Sequence, residues 1–142
     1  MRAVLALAAG DGTPMTTRQI AETMKVPQSY LSKVLQALVR GGLVYSTRGL
    51  RGGFVLVKTA DNITLLQILN SVNPLQRIES CPLDLDAHSS DLCPLHRRLD
   101  QAMAMVENAF SGTTLAEILS EDNPCPTMKE QLQKLEVLQK KD

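Results

Sequence analysis

Residues 15–56 read MTTRQIAETMKVPQSYLSKVLQALVRGGLVYSTRGLRGGFVL, and this stretch narrows the choice of fold more than any other. Two helical patterns separated by a short break are followed by two strand patterns with a glycine-rich turn between them, the order of a winged helix-turn-helix. Thr16 or Thr17 supplies an N-cap oxygen for the first helix, and Ile20, Ala21 and Met24 recur at helical spacing until Pro27 ends it. The second helix starts at Gln28 or Ser29 and carries Tyr30, Leu31, Val34, Leu35 and Leu38 as a buried stripe. It stops at Gly41 and Gly42, because glycine enters left-handed backbone without steric cost. Residues 43–46 and 54–57 read as strands, and the turn between them carries Arg48 and Arg51 at its tip.

The outward face of the second helix holds Gln28, Ser29, Ser32, Lys33, Gln36 and Arg40, with Tyr30 beside them at the helix start. Such side chains hydrogen-bond base edges and phosphates, and a helix fits the major groove. A hairpin of this kind sets Arg48 or Arg51 on the minor groove or the backbone. The plainer interpretation is a helical hairpin with a polar face and two solvated turn charges; the appended wing favours DNA. The charge distribution agrees: residues 1–58 hold eight Lys and Arg against two Asp and Glu, while residues 59–142 hold seven against thirteen. A basic half and an acidic half are expected when one end of the chain meets nucleic acid.

The run SYLSKVLQALVRGGLVYSTRGLRGGF resembles the DNA-binding core of the Rrf2 family of bacterial repressors, among them the iron-sulfur cluster regulator, the nitric-oxide-sensitive repressor and the cysteine-metabolism repressor. The resemblance is carried by Ser29, Tyr30 and Leu31 opening the recognition helix and by Arg48, Gly49, Gly52, Gly53 and Phe54 in the wing. It continues through Thr114, Leu115, Ala116, Glu117 and Ile118 and so covers most of the chain.

Residues 1–9 form an alanine-rich helical run with no capping residue before it. The resemblance implies about two further turns ahead of Arg2, so either the start is misplaced or this protein does without them. Beyond the wing, Thr64 caps a short helix through Leu65, Leu66, Ile68, Leu69 and Val72, which Asn73 and Pro74 end and which serves packing. Periodicity is then lost until Leu92, in an acidic loop that contains Cys81. Leu95, Leu99, Ala102, Met103, Val106 and Phe110 repeat at helical spacing and must bury their stripe. The resemblance makes this the dimerisation helix, and a two-fold dimer suits palindromic half-sites. The alternative is a helix folded back on its own domain. Thr113 or Thr114 caps a helix to Leu119, and Met128, Leu132, Leu135 and Leu138 suggest a last, exposed one.

Three cysteines make no disulfide framework, so Cys81, Cys93 and Cys125 are packing residues, metal ligands or redox thiols. Cluster-bearing members of the family have three cysteines in this loop and, in the 2Fe-2S type, a histidine shortly after the last. Cys81, Cys93 and His96 match the first, the last and that histidine, whereas the middle cysteine falls near Ala87 and is absent. His88 could take its place, since two thiolates and two imidazoles suit iron-sulfur and zinc sites alike, or a second subunit could supply the ligand. Otherwise Cys81 and Cys93 are relics of a lost site, and His88 and His96 are ordinary surface residues. Cys125, between two prolines, reads as an exposed thiol.

The expected molecule is mainly α with a two-stranded β-wing: a winged helix-turn-helix over residues 1–72, a sensor loop over 73–92, and a dimerisation helix with C-terminal helices over 93–142. Its expected partners are a double-stranded DNA operator and a second copy of itself. The resemblance implies an iron-sulfur cluster, of the 2Fe-2S type before others, with a cluster-free site as the alternative. No nucleophile–base pair in a pocket context and no phosphate-binding glycine loop argues for an enzyme. No apolar run approaches the roughly 18 residues of a membrane span and no secretory signal is evident, so the expected location is the cytoplasm. The rival interpretations are a cluster-free regulator governed by a protein partner or metabolite, and a winged-helix module that binds protein and no DNA.

Overall fold

A computed structural model of the chain describes residues 1–49, 52–81 and 92–121, together with Glu130 and Gln133. Leu50 and Arg51, His88 with the middle of the acidic loop, Cys125, and the expected last helix around Met128, Leu132, Leu135 and Leu138 lie outside the described residues, apart from Glu130 and Gln133, which are helical.

The first helix, α1 (Arg2–Ala9), is apolar apart from the exposed Arg2 at its start and is accordingly central: Ala3, Val4, Leu5, Ala6 and Leu7 are all buried. The next, α2 (Thr17–Met24), starts at a capping box in which the Thr16 hydroxyl accepts from the Gln19 amide (3.2 Å) and the Gln19 side chain accepts from the Thr16 amide (2.8 Å). It does not run on to Pro27. It stops at Met24 because Lys25 turns into left-handed backbone (φ 50°), and Pro27 instead forms the N-cap of α3 (Gln28–Arg40).

In α3 the residues Leu31, Leu35 and Leu38 are buried, each stabilising the fold by about 1.5–3 kcal/mol, and Val34 is half-buried. Tyr30 departs from the expected stripe and is 62% exposed. It stands in the first turn, on the rim of an open groove that it lines with Met1, Val26, Leu69 and Val72. Of the two glycines that end the helix, Gly41 keeps helical backbone and Gly42 alone takes positive φ (69°).

The wing consists of β1 (Val44–Thr47) and β2 (Gly53–Leu56), antiparallel with Val44 opposite Leu56 and Thr47 opposite Gly53. Each strand begins and ends one residue away from its expected place. The reason is Thr47, whose hydroxyl accepts from the Gly53 amide (3.1 Å) and closes the hairpin at that pair. Alternation sends Val44, Phe54 and Leu56 to the core and leaves Tyr45 on the outer face. Met15 adds an unforeseen third partner, exchanging two backbone hydrogen bonds with Phe54 (3.0 and 2.8 Å).

After a 3-10 turn at Ala60–Asn62 comes α4 (Leu65–Val72), then α5 (Pro94–Gly112) and α6 (Leu115–Ser120). Both α4 and α6 start at capping boxes, Thr64 with Gln67 and Thr114 with Glu117. The two starts are tied together: the Leu65 amide donates to Thr113 (3.0 Å) and the Leu115 amide to Ile63 (2.8 Å). Leu115 therefore enters the same core as Ile63, Ile68 and the residues of α1 and α3.

The long helix α5 differs from the rest in having no buried residue. Its expected apolar stripe divides in two. Met103 and Phe110 are half-buried together with His96, Asp100 and Glu107, whereas Leu95, Leu99 and Val106 are 65%, 45% and 42% exposed. Among the described residues no helix is long and apolar enough to cross a membrane.

Candidate nucleic-acid interface and thiol site

The core positions of α3 turn its opposite side to solvent. Gln28, Ser29, Tyr30, Lys33, Gln36 and Arg40 are exposed and Ser32 is half-buried, its hydroxyl donating back to the Gln28 carbonyl (2.9 Å). Ser29, Ser32, Gln36 and Arg40 fall on one face, and the helix is about 20 Å long, enough to lie along a major groove. Because its N-cap is a proline, no side chain caps the helix start, and its first amide groups are left to meet water or a phosphate.

The wing is closed next to its turn by the Thr47–Gly53 pair and is tied to the residue before α2's cap by the Met15–Phe54 bridge. Arg48 is exposed and enters no ion pair among the described residues, so its guanidinium is available to an external anion. Arg51 lies outside the described residues. On α2, by contrast, Arg18 is occupied by Glu22 one turn on (2.8 Å), and the same hydrogen bond raises the pKa of its guanidinium.

The candidate ligand residues are brought only partly together. Cys93 is the N-cap of α5 and His96 stands in its first turn, so the helix itself presents Cys93 Sγ 3.3 Å from His96 Nδ1. Both are half-buried, and Cys81, at the end of the segment that follows α4, is buried. No third histidine, cysteine or carboxylate joins the Cys93–His96 pair among the described residues. His88 is not among them.

One network was not legible in the sequence. Arg77 sends Nε and Nη2 to the two carboxylate oxygens of Asp100 (2.6 Å each) and Nη1 to Glu107 (3.3 Å), while the Ile78 amide donates to Asp100 Oδ1 (2.9 Å). These bonds, first the Arg77 fork and then the Ile78 amide, hold the Asp100 carboxyl at about 2, well below its ordinary value. The Arg77 guanidinium is correspondingly raised. The signal available beforehand was slight: Asp100 and Glu107 recur seven residues apart on the helix that carries Cys93.

Comparison with known proteins supplies the context for this geometry. Residues 1–121 match the model of the Rrf2 family, described as iron-dependent transcriptional regulators. A protein of Aquifex aeolicus assigned as an HTH-type transcriptional regulator is 30% identical over 105 residues, 72% of this chain and 73% of that protein. Among solved structures, CymR, the global cysteine regulator of B. subtilis, superposes with a TM-score of 0.66 at 29% identity, covering 84% of this chain and 89% of its own. IscR of T. potens shares the fold with a TM-score of 0.67 at 23% identity, covering 86% and 81%.

Proposed function

Because the chain belongs to the Rrf2 family of transcriptional regulators, we propose that it is a cytoplasmic, dimeric repressor that binds a double-stranded operator and answers to the state of its thiol site. In this proposal residues 1–72 bind DNA, residues 73–92 sense, and residues 93–142 dimerise. The observation that carries it is the exposed polar face of α3 together with an exposed wing arginine, Arg48, that enters no ion pair among the described residues. Gln28, Ser29, Tyr30 and Ser32 at the helix start meet base edges; Lys33, Gln36, Arg40, Arg48 and Arg51 meet phosphates or the minor groove. The exposed Leu95, Leu99 and Val106 of α5 meet their symmetry mates.

For the thiol site, a cysteine and a histidine with donor atoms 3.3 Å apart are ligand types that iron accepts. Cys81 is the third proposed donor and His88 the fourth, in place of the cysteine that falls at Ala87. An iron-sulfur cluster, when bound, supplies redox responsiveness; the chain's own part is to hold two donors at the start of α5 and bring the loop to them. A second reading, a cluster-free regulator governed by a metabolite or protein partner, is favoured by the lack of a third donor beside Cys93 and His96 among the described residues.

Affinity for random duplex should fall steeply with salt, and Arg48→Ala should weaken binding to all duplexes and reduce the salt slope by about one. Gln28→Ala or Ser29→Ala should instead change base preference. Salt-independent or absent binding would identify a protein-interaction module. Protein grown with iron and purified anaerobically should absorb in the visible and lose that absorbance in Cys81→Ala and Cys93→Ala. A colourless, metal-free preparation with unaltered DNA binding in both variants leaves the cluster-free regulator.

A further inference from the structure

Helix α5 is more than twice as long as the helix it lies against: its 19 residues rise about 28 Å, and the 8 residues of α4 rise about 12 Å. The two run antiparallel. The start of α4 is tied to the end of α5 by the Leu65–Thr113 and Leu115–Ile63 hydrogen bonds, while the segment that leaves α4 meets α5 further back, at Asp100 and Glu107. By length, α4 covers about the last eight residues of α5, and the remainder, with the exposed Leu95 and Leu99, projects past it. Arg77 grips that projection. Its fork on Asp100 and its bond to Glu107 engage two carboxylates two turns apart, and the Ile78 amide adds a backbone donor to Asp100. At its other end the brace is anchored in the core: Ile68 of α4 is buried in the cluster that holds Leu31, Leu35 and Leu38 of α3. Between the two, the Asn70 side chain accepts from the Leu75 amide (3.1 Å) and so limits the freedom of the chain where it leaves α4.

We infer that Arg77 is a positioning residue for DNA recognition: it fixes the angle at which the projecting half of α5 leaves the unit that carries α3, and through that angle sets the separation and rotation of the two α3 helices in a dimer. The inference rests on the proposed operator binding by a dimer joined through Leu95, Leu99 and Val106, and adds to it the residue that decides which half-site spacing is accepted. The geometry of the duplex makes such a brace matter. One base pair inserted between two half-sites moves them apart by about 3.4 Å and turns one against the other by about 35°. A dimer whose α5 helices are braced at both the Thr64–Thr114 end and Asp100 must break contacts to follow that change. With the fork removed, the projecting half of α5 tilts about the remaining attachment, and the altered spacing is met at smaller cost.

The test selects sites for the full-length parent chain from a random-sequence duplex library, then measures binding to the selected duplex and to versions with one base pair added or removed between the half-sites. The parent should select two-fold-related half-sites at a single spacing and bind the altered duplexes distinctly less well. Arg77→Ala should reduce that preference by about fivefold, in keeping with an ion pair of good geometry at a partly exposed site. Arg77→Lys should do the same, since an ammonium group keeps the charge but cannot form the fork; its affinity for random duplex and the salt slope should stay those of the parent, which separates loss of the brace from loss of phosphate attraction. Both variants should sediment as the parent does and match its far-ultraviolet circular dichroism; if Arg77→Ala alone loses helix, Arg77→Lys decides. The parent's spacing preference in folded variants would overturn the role of Arg77 and leave the dimeric regulator standing. Selection of single, unpaired half-sites by the parent, or of no site at all, would overturn the dimeric regulator itself, and the inference with it.

Discussion

Asp100 shows how one carboxylate can organise a surface. Its carboxyl is held at about 2, against an ordinary 3.8, first by the Arg77 fork and then by the Ile78 amide. A folded-state value below the unfolded one means that its contribution is fully present above the ordinary aspartate range and is lost as the pH falls through about 2. The segment carrying Cys81 should therefore stay seated on α5 throughout the physiological range and detach only in strong acid. Following the Asp100 carboxyl carbon by NMR should give a midpoint near 2 in the parent, and one moved up toward 3.8 in Arg77→Ala. An unchanged midpoint in that variant would mean that the Ile78 amide alone accounts for the depression. Tyr30 makes a complementary point: an aromatic residue expected in the apolar stripe with Leu31 and Val34 is nonetheless 62% exposed, which leaves its ring and hydroxyl at the surface.

Among the elements, the wing depends on a close backbone approach. A Cβ at Gly53 would stand 2.8 Å from the Met15 carbonyl carbon and oxygen and 2.9 Å from its nitrogen, and those are backbone atoms that cannot swing aside. Gly53→Ala should open the Met15–Phe54 bridge, cost about 1–3 kcal/mol of stability, and loosen the hairpin that carries Arg48. Chemical denaturation and amide exchange at Met15 and Phe54 would measure both effects; full protection of those two amides in the variant would show that the strands can shift to accommodate the methyl group. The long helix α5 raises a different matter, since its apolar residues serve two neighbours. Met103 and Phe110 are covered within the chain, and Leu95, Leu99 and Val106 are not.

For the molecule as a whole, that uncovered stripe bears on assembly. The other helices contribute to one core running from α1 through α3 and α4 to Leu115 of α6, so the domain is complete without the outer face of α5. Val106→Glu, at a residue 42% exposed, should leave this core and its melting temperature nearly unchanged. In a dimer it would place an unpaired charge in the interface, at a cost of several kcal/mol. Sedimentation should then show monomers, with operator binding greatly weakened because only one half-site is engaged at a time. A variant that still sediments as a dimer would move the two-fold contact elsewhere.

The elements that local chemistry specifies were legible from residue order. The caps narrowed to Thr16 or Thr17, Thr64, and Thr113 or Thr114, the apolar spacing of α3 and the glycines of the wing turn could be read there, because caps, periods and turns involve residues within a few positions of each other. Of the candidate site, the polar face of α3 was visible from its period, whereas Cys93 and His96 were singled out by the family resemblance and their meeting at the start of α5 is a finding of the structure. The Met15–Phe54 bridge, the pairing of Thr64 with Thr114, the fork from Arg77 to Asp100 and the division of the α5 stripe were settled only in three dimensions. Each joins segments far apart along the chain, and a backbone amide or an arginine carries no local mark of which distant acceptor it will meet. That choice falls to the packing that brings the segments together.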